Sequence, residues 1–259
     1  MLRFFEKLTN PFPTAEPTQP PTGLLAFCLH YSQGMGWPLL VMATLTALIA
    51  MLEVSLFGFM GQLVDWLIAK DPATLWQTEG STLLLMGVMT AVGIPLLILL
   101  HAAVIHQTIL GNYPMAIRWS AHRYLLKQSI SFYQNDFAGR IATKVMQTAL
   151  AVRETATKLL DVMVYVLVYF GTMLYLIADA DVLLVIPMLV WLALYIAVQY
   201  YFVPKLKDVA TRQADARSEM TGRIVDSYTN INTIKLFSHT SREAEYARDS
   251  MQTFLSPVY

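Results

Sequence analysis

Four long apolar stretches divide the chain, and the segments that join them alternate between very short and very long. The apolar stretches cover about residues 37–68, 83–105, 162–177 and 182–203. A run of about 20 predominantly apolar residues is long enough to cross the hydrocarbon core of a bilayer as a helix. The pattern therefore predicts an all-α integral membrane protein with four spans.

The two long polar segments, at about 112–158 and 204–259, are predicted to form helical hairpins rather than loops. Along the returning arm of the first, apolar residues recur at helical spacing at Val145, Ala149, Val152, Ala156, Leu159 and Met163. As a helix, residues 83–129 would measure on the order of 70 Å, whereas the hydrocarbon core takes about 30 Å. Each hairpin should thus extend tens of Å from the membrane and end in a polar turn, at 132–138 and at 228–233.

The placement of Lys and Arg predicts the orientation. Residues 112–158 hold seven of them and the chain after 204 holds eight, whereas residues 70–80 hold one and residues 178–181 hold none. Positive residues accumulate in cytoplasmic loops. We therefore expect both hairpins and the N-terminus inside and loops 70–80 and 178–181 outside. The protein is expected to be a multi-pass protein of the cell membrane, and the specific location expected is a bacterial inner membrane.

Residues 1–36 should form a cytosolic lead-in followed by an elbow helix. Five prolines lie between Pro11 and Pro21, a composition typical of extended chain. Residues 22–37 are rich in Leu, Phe and Tyr, which fits a short interfacial helix. The alternative is that they merely begin the first span.

Composition agrees with the membrane assignment, gives no support for a nucleic-acid partner and excludes a disulfide within the chain. Hydrophobic residues make up 56% of the chain and charged residues 14%, against roughly 45–50% and about 25% in a soluble domain. A net charge of zero gives no reason to expect nucleic acid as a partner. The single cysteine, Cys28, cannot form a disulfide within the chain.

A few polar and aromatic residues within the spans are candidates for a translocation pathway: Glu53, His101 and Tyr169. Glu53 is an ionisable group inside a span, which usually faces a cavity or a partner, although a structural role is equally open. His101 and His106 are separated by about 140° around a helix and should not bind one metal ion together. The aromatic residues Tyr165, Tyr169, Phe170 and Tyr175 could stack on an amphiphile or simply pack. No nucleophile, base and acid occur in a catalytic arrangement, so no catalytic, cofactor or metal site is expected in this chain.

Two motifs at the predicted hairpin tips carry a family resemblance. The first has an aromatic pair, a Gly-Arg-Ile and a basic residue, here Phe132-Tyr133, Gly139-Arg140-Ile141 and Lys144. The second, which is more specific, reads Asn230-Ile231, Thr233-Ile234-Lys235, Phe237 and Arg242-Glu243. In this order, with an elbow helix and four spans, the chain resembles the transmembrane domain of ATP-binding-cassette (ABC) exporters, which has six long helices per subunit.

The resemblance implies a function. The chain would be the membrane part of an exporter subunit that works with a second transmembrane subunit, as a homodimer or a heterodimer, around a shared pathway. Cytosolic nucleotide-binding domains would bind ATP and Mg²⁺, and the hairpin tips would dock on them. The docking residues would be Phe132, Tyr133, Asn135, Asp136, Tyr228, Thr229, Asn230 and Ile231.

The chain also departs from the family pattern. An acidic residue usual after the Gly-Arg-Ile is replaced near Thr148, and His239 and Thr240 stand where a glutamate often follows the Lys-x-Phe. The family has two further spans and an ATPase domain with a G-x-x-x-x-G-K-[ST] phosphate loop, a motif that this sequence lacks. We therefore expect this chain to be the first part of a longer subunit.

Two other functions remain open from the sequence. The chain could be a membrane scaffold or receptor whose cytosolic hairpins bind a signalling partner, in which case the tips need not couple to an ATPase. It could also be an intramembrane enzyme, for which the absence of a catalytic arrangement is poor support.

Overall fold

The computed structural model describes residues 2–70, 72–135, 138–237, 240–256 and 258, and these are almost entirely helical, with no strand among them. The α-helices are α1 (Leu2–Glu6), α2 (Leu24–Tyr31), α3 (Gly36–Ala69), α4 (Pro72–Val88), α5 (Ile94–Ala103), α6 (Leu110–Leu126), α7 (Ile130–Asn135), α8 (Ala138–Lys158), α9 (Val164–Ala180), α10 (Val185–Thr229), α11 (Ile231–Leu236) and α12 (Thr240–Leu255). π-helical turns join α4 to α5, α5 to α6 and α8 to α9, at Met89–Gly93, Val104–Ile109 and Leu159–Met163. The all-α prediction is confirmed.

Four helical stretches are long and apolar enough to cross a membrane: Gly36–Ala69, Thr74–Leu126, Ile141–Ala180 and Val182–Thr229. Three of them run far beyond the roughly 30 Å of a hydrocarbon core, at about 1.5 Å per residue. The protein is therefore a multi-pass membrane protein whose helices continue outside the lipid.

One π-helical turn has a clear local cause. Pro95 has no amide hydrogen, so the carbonyl four residues earlier, that of Ala91, lacks its usual helical partner. Ala91 lies within the π-helical turn Met89–Gly93. Wider turns of this kind often occur where the hydrogen-bond ladder of a helix is interrupted.

Two predicted loops are largely helical. Residues 72–80, expected to be an outer loop, belong to α4, which begins at Pro72, a residue well suited to a first helical turn. Helix α9 continues to Ala180, so only Asp181 separates it from a 3₁₀ turn at Val182–Leu184. The Asp181 carboxylate accepts a hydrogen bond from the Leu183 amide at 2.8 Å and so caps that turn. Both helices were predicted to end where the apolar stretch ends. They continue further because a helix does not have to stop where it leaves the lipid.

The N-terminal lead-in is bound to α6 and to the π-helical turn that precedes it. Its first residues form α1 instead of the expected extended chain, and the buried Thr108 hydroxyl donates to the Phe5 carbonyl at 2.8 Å. The Asn112 amide donates to the Glu6 carbonyl at 2.9 Å. Further along, the Arg123 guanidinium donates to the carbonyls of Pro13, Thr14 and Ala15 at 3.1, 3.3 and 2.9 Å.

Helix α2 is a separate element from α3. The chain turns between them at Gly34, which has a φ of +85°, a conformation that favours glycine. The Ser32 hydroxyl, which follows α2, bonds to the Cys28 carbonyl at 2.6 Å and to the Tyr113 hydroxyl at 2.5 Å. These bonds hold the turn against α6.

The buried core of the unit Met1–Val185 lies where α3, α6 and α8 meet. Its members are Met35, Leu39, Met42, Val104, Ile109, Tyr113, Ile117, Ala149, Val152 and Ala156. In the predicted stripe along 145–163, the α8 residues Ala149, Val152 and Ala156 are buried, but Leu159 and Met163 of the following π-helical turn are exposed. The stripe ends there because helical spacing does not mark an inner face once the chain enters lipid, where apolar residues can point outward.

The unit Ile186–Tyr259 contains a helical hairpin formed by α10 and α12. The Ser227 hydroxyl donates to the Glu243 carboxylate at 3.0 Å, and the Arg223 guanidinium lies 4.2 Å from the ring centroid of Tyr246. The polar turn of this hairpin was predicted at 228–233, but the short tip helix α11 begins within it and continues to Leu236, and α12 begins at Thr240.

Candidate functional site

A row of polar side chains, here called the polar seam, lies between α3 and the helix formed by the π-helical turn Leu159–Met163 and α9. Its members are Thr46, Glu53, His101, Asp161, Tyr165 and Tyr169. His101 joins the row from α5. Thr46 and Glu53 are seven positions apart on α3, and Asp161, Tyr165 and Tyr169 follow at intervals of four. Both spacings keep side chains on one helix face. Helices α3 and α9 pack directly against each other, so the two rows meet.

The inner cluster of the seam is a triangle of polar contacts among Thr46, His101 and Asp161. The Thr46 hydroxyl donates to Asp161 Oδ1 at 2.5 Å, and His101 Nε2 lies 3.0 Å from both that oxygen and the Thr46 hydroxyl. Thr46 is buried, whereas 19% of the His101 side chain and 32% of the Asp161 side chain are exposed. Oδ1 of Asp161 therefore contacts polar groups from two other helices.

The outer cluster lies about 10 Å further along α3, at about 1.5 Å per residue. The Tyr165 hydroxyl donates to Glu53 Oε2 at 2.6 Å. The rings of Tyr165 and Tyr169 are stacked, with centroids 5.5 Å apart and an interplanar angle of 25°. In the described part of the chain, Glu53 has no cationic partner and Tyr165 is its one hydrogen-bond donor. All three side chains are partly exposed.

The structure separates the predicted pathway residues into these two clusters. Glu53 and Tyr169 both contact Tyr165, whereas His101 belongs to the inner cluster. His106 is exposed on its π-helical turn. Among the described residues no group of three or more His, Cys, Asp or Glu could hold a metal ion.

Thr46 and Asp161 were missed by sequence analysis. Asp161 had a detectable signal, because it is a lone acidic residue within the apolar run from Leu159 to Val168. Thr46 had none, since a threonine within a span usually bonds to its own helix, as Thr44 does to the Leu40 carbonyl at 2.9 Å. Only the packing of α3 against the neighbouring helices brings Thr46 to Asp161.

The first hairpin tip includes α7. The rings of Phe132 and Tyr133 pack edge to face at 5.3 Å, and the Tyr133 hydroxyl donates back to the Leu125 carbonyl at 2.7 Å. Tyr133 therefore holds α7 against α6, while Phe132 is 37% exposed. Asn135 ends α7, but its side chain and the whole of Asp136 lie outside the described residues.

The second tip is the junction of α10 and α11 at Asn230. The Thr229 hydroxyl and the Asn230 side-chain amide bond back to the carbonyls of Val225 and Asp226, at 2.8 and 3.1 Å. These polar groups thus complete the end of α10. Tyr228 makes no such bond among the described residues and is 72% exposed, with Ile231 also exposed beside it.

The comparisons with known proteins agree with this architecture. Residues 39–257 match the family model described as the ABC transporter transmembrane region. The chain is also 47% identical over 257 residues to an uncharacterized ABC transporter ATP-binding protein of Haemophilus influenzae. That alignment covers 99% of this chain and 42% of the relative, so the chain spans less than half of the relative's length. The chain belongs to the family of ABC transporter transmembrane regions.

Proposed function

We propose that this chain forms the membrane part of an ATP-driven exporter subunit and carries motion from cytosolic ATPase domains to a translocation pathway. The observation that carries the proposal is α10, a 45-residue helix that begins apolar and ends at the exposed Tyr228. A single helix of this kind joins the lipid to a point far outside it.

The reach of α10 supports a coupling role. Its apolar part ends near Val203, and the Lys205 ammonium lies 3.7 Å from the ring centroid of Tyr201, an arrangement typical of a membrane interface. From 204 to 229 the helix extends about 39 Å further, at about 1.5 Å per residue. A tip at that distance can contact a cytosolic domain and cannot contact a substrate in the membrane.

The tip side chains divide into anchors and supports. Phe132, Tyr228 and Ile231 are exposed and apolar, as expected of residues that insert into a cleft of a partner. Tyr133, Thr229 and Asn230 bond to their own hairpins, so we assign them to shaping the tips. We keep Asn135 and Asp136 as proposed docking residues on the family resemblance alone.

The proposed partners are supported by the family and by the name of the relative. The name of the Haemophilus influenzae protein includes ATP binding, and this chain matches 42% of it. We propose that nucleotide-binding domains supply the ATP and Mg²⁺ site and that a second transmembrane subunit, in a homodimer, completes the pathway. Closure of the ATPase domains would shift the spans between two conformations, as a ligand shifts a two-state equilibrium.

We further propose that Glu53, His101 and Tyr169 line the translocation pathway and that both hairpins face the cytoplasm of a bacterial inner membrane. Support for the first part is the partial exposure of these side chains within the spans. Support for the second is the concentration of Lys and Arg in the hairpins.

The test of coupling is the double substitution Phe132→Ala and Tyr228→Ala in the full-length subunit. Truncating an aromatic anchor at an interface centre costs about 2 kcal/mol or more. We expect normal insertion, loss of ATP-driven transport into inverted vesicles, and ATP hydrolysis that no longer responds to substrate. The matched control is Tyr200→Ala, which removes an 85% exposed tyrosine from the membrane part of the same helix.

Transport at the parental rate by the double variant would contradict the proposal. A full-length protein that shows no ATP-dependent transport of any amphiphile, but retains a cytosolic protein partner lost in the double variant, would favour the scaffold function instead.

A further inference from the structure

We propose that Glu53 and the stacked rings of Tyr165 and Tyr169 form a binding site for an organic cation, an amphiphile that carries an ammonium or a comparable positive group. This inference rests on the proposed export function, because it assigns a chemical class to the substrate of the pathway. The evidence for the site is the charge of the spans and the geometry of the outer cluster.

The spans carry negative charge and no fixed positive charge. Residues 37–68, 83–105, 162–177 and 182–203 contain no Lys or Arg, whereas the first contains Glu53 and Asp65. Glu53 lies 17 residues after the beginning of α3 and 16 before its end, near the middle of the crossing. An ionisable group at that depth is costly unless a partner or a polar cavity compensates it.

The carboxylates near the membrane differ in how they are compensated. Asp161 has both Thr46 and His101 as partners. Asp65 is exposed and lies about 18 Å beyond Glu53 along α3, at about 1.5 Å per residue, toward the end of the span. Glu53 alone combines a central position with the absence of a cationic partner among the described residues.

The geometry around Glu53 suits a cation with an apolar body. Tyr165 occupies Oε2 with one neutral hydrogen bond of 2.6 Å and leaves Oε1 available. One turn further, Tyr169 stacks on Tyr165 and extends the aromatic surface away from the carboxylate. A cation over a tyrosine face gains about 0.5–2 kcal/mol, most where water is excluded. Charge recognition and an aromatic surface therefore lie side by side.

A small metal ion fits this place poorly. Calcium and magnesium take about six or more oxygen ligands, whereas the cluster offers one carboxylate and one engaged phenol. In the described residues no set of three acidic or histidine ligands is available. A large organic cation needs only the single charge and the rings.

The experiment uses two probes of matched size and opposite charge, tetraphenylphosphonium and tetraphenylborate. Their binding to the purified full-length protein in lipid nanodiscs is measured by equilibrium dialysis without nucleotide, and their binding to protein-free nanodiscs is subtracted. We expect wild-type protein to prefer the cation. Glu53→Gln preserves the shape of the side chain but removes the charge, so tetraphenylphosphonium affinity should fall about tenfold or more while tetraphenylborate affinity does not fall.

Three further variants test the geometry. Asp65→Asn removes another carboxylate from α3 and should leave both affinities within about twofold. Tyr169→Leu removes one ring and should weaken the cation about threefold to tenfold. Tyr165→Phe keeps its ring, removes the competing hydrogen bond and should retain cation affinity within about threefold.

Equal affinity of wild-type protein for the two probes would overturn the inference, as would unchanged cation affinity in Glu53→Gln or an equal loss for both probes. These outcomes are independent of coupling. If ATP-driven transport is normal but Glu53→Gln binds the cation like wild type, the substrate class is wrong and the export function stands. If cation binding depends on Glu53 but no transport occurs, the export function fails and the site stands.

Discussion

Thr44 and Thr46 lie two positions apart on α3 and have opposite environments. Thr44 is exposed and bonds only to its own helix, whereas Thr46 is buried and donates to Asp161 from another helix. Both are threonines that lie among apolar residues of the same helix. The difference between them is a property of packing, and it can be measured.

We predict that Thr46→Val lowers the free energy of unfolding by about 1–3 kcal/mol, because it leaves a partly buried carboxylate with one donor fewer. Thr44→Val should change it by less than about 0.5 kcal/mol. Thermal unfolding of the full-length protein in detergent compares the two. Equal effects would mean that the bond between Thr46 and Asp161 contributes nothing. Combining Thr46→Val with Asp161→Asn should cost less than the sum of the single changes.

At the scale of elements, the N-terminal lead-in depends on α6. Arg123 donates to three consecutive carbonyls of the lead-in, whereas Lys127, one turn later, makes an exposed ion pair with Glu16 at 3.2 Å. An exposed ion pair contributes little to stability. A guanidinium that satisfies three carbonyls fixes the path of the chain.

We therefore predict that Arg123→Ala releases residues 14–19 and that Lys127→Ala does not. Hydrogen exchange of peptides from this segment should become several-fold faster in the first variant, since local opening would no longer require breaking those bonds. The second variant should stay close to wild type. Unchanged exchange in Arg123→Ala would show that these three hydrogen bonds do not hold the segment in place.

At the scale of the whole molecule, the central property is the orientation of the four spans. The prediction uses single cysteines in a background where Cys28 is replaced by serine. Thr78 lies on the exposed surface of α4, and Ser131 lies on the exposed surface of α7. We predict that the hairpins lie inside, so an impermeant thiol reagent should label Thr78→Cys in intact cells and should label Ser131→Cys only after permeabilisation. The reverse result would invert the topology.

The sequence by itself determined the number of spans, the all-α class and the hairpins, because each follows from composition and periodicity that packing does not alter. It also made Glu53 a candidate pathway residue, since a charge in an apolar run is visible in any context. It misplaced the ends of the helices at 72–80 and 178–180, because a change of polarity marks the edge of the lipid and not the end of a helix.

Only the tertiary structure decided which polar residues meet. Thr46, His101 and Asp161 are 55 to 115 positions apart, and their contact exists because α3 packs against two other helices. The same packing brings the Tyr165 hydroxyl to Glu53 and brings His101 to Asp161. Side-chain pairing across helices depends on rotation and register, which periodicity within one helix does not specify.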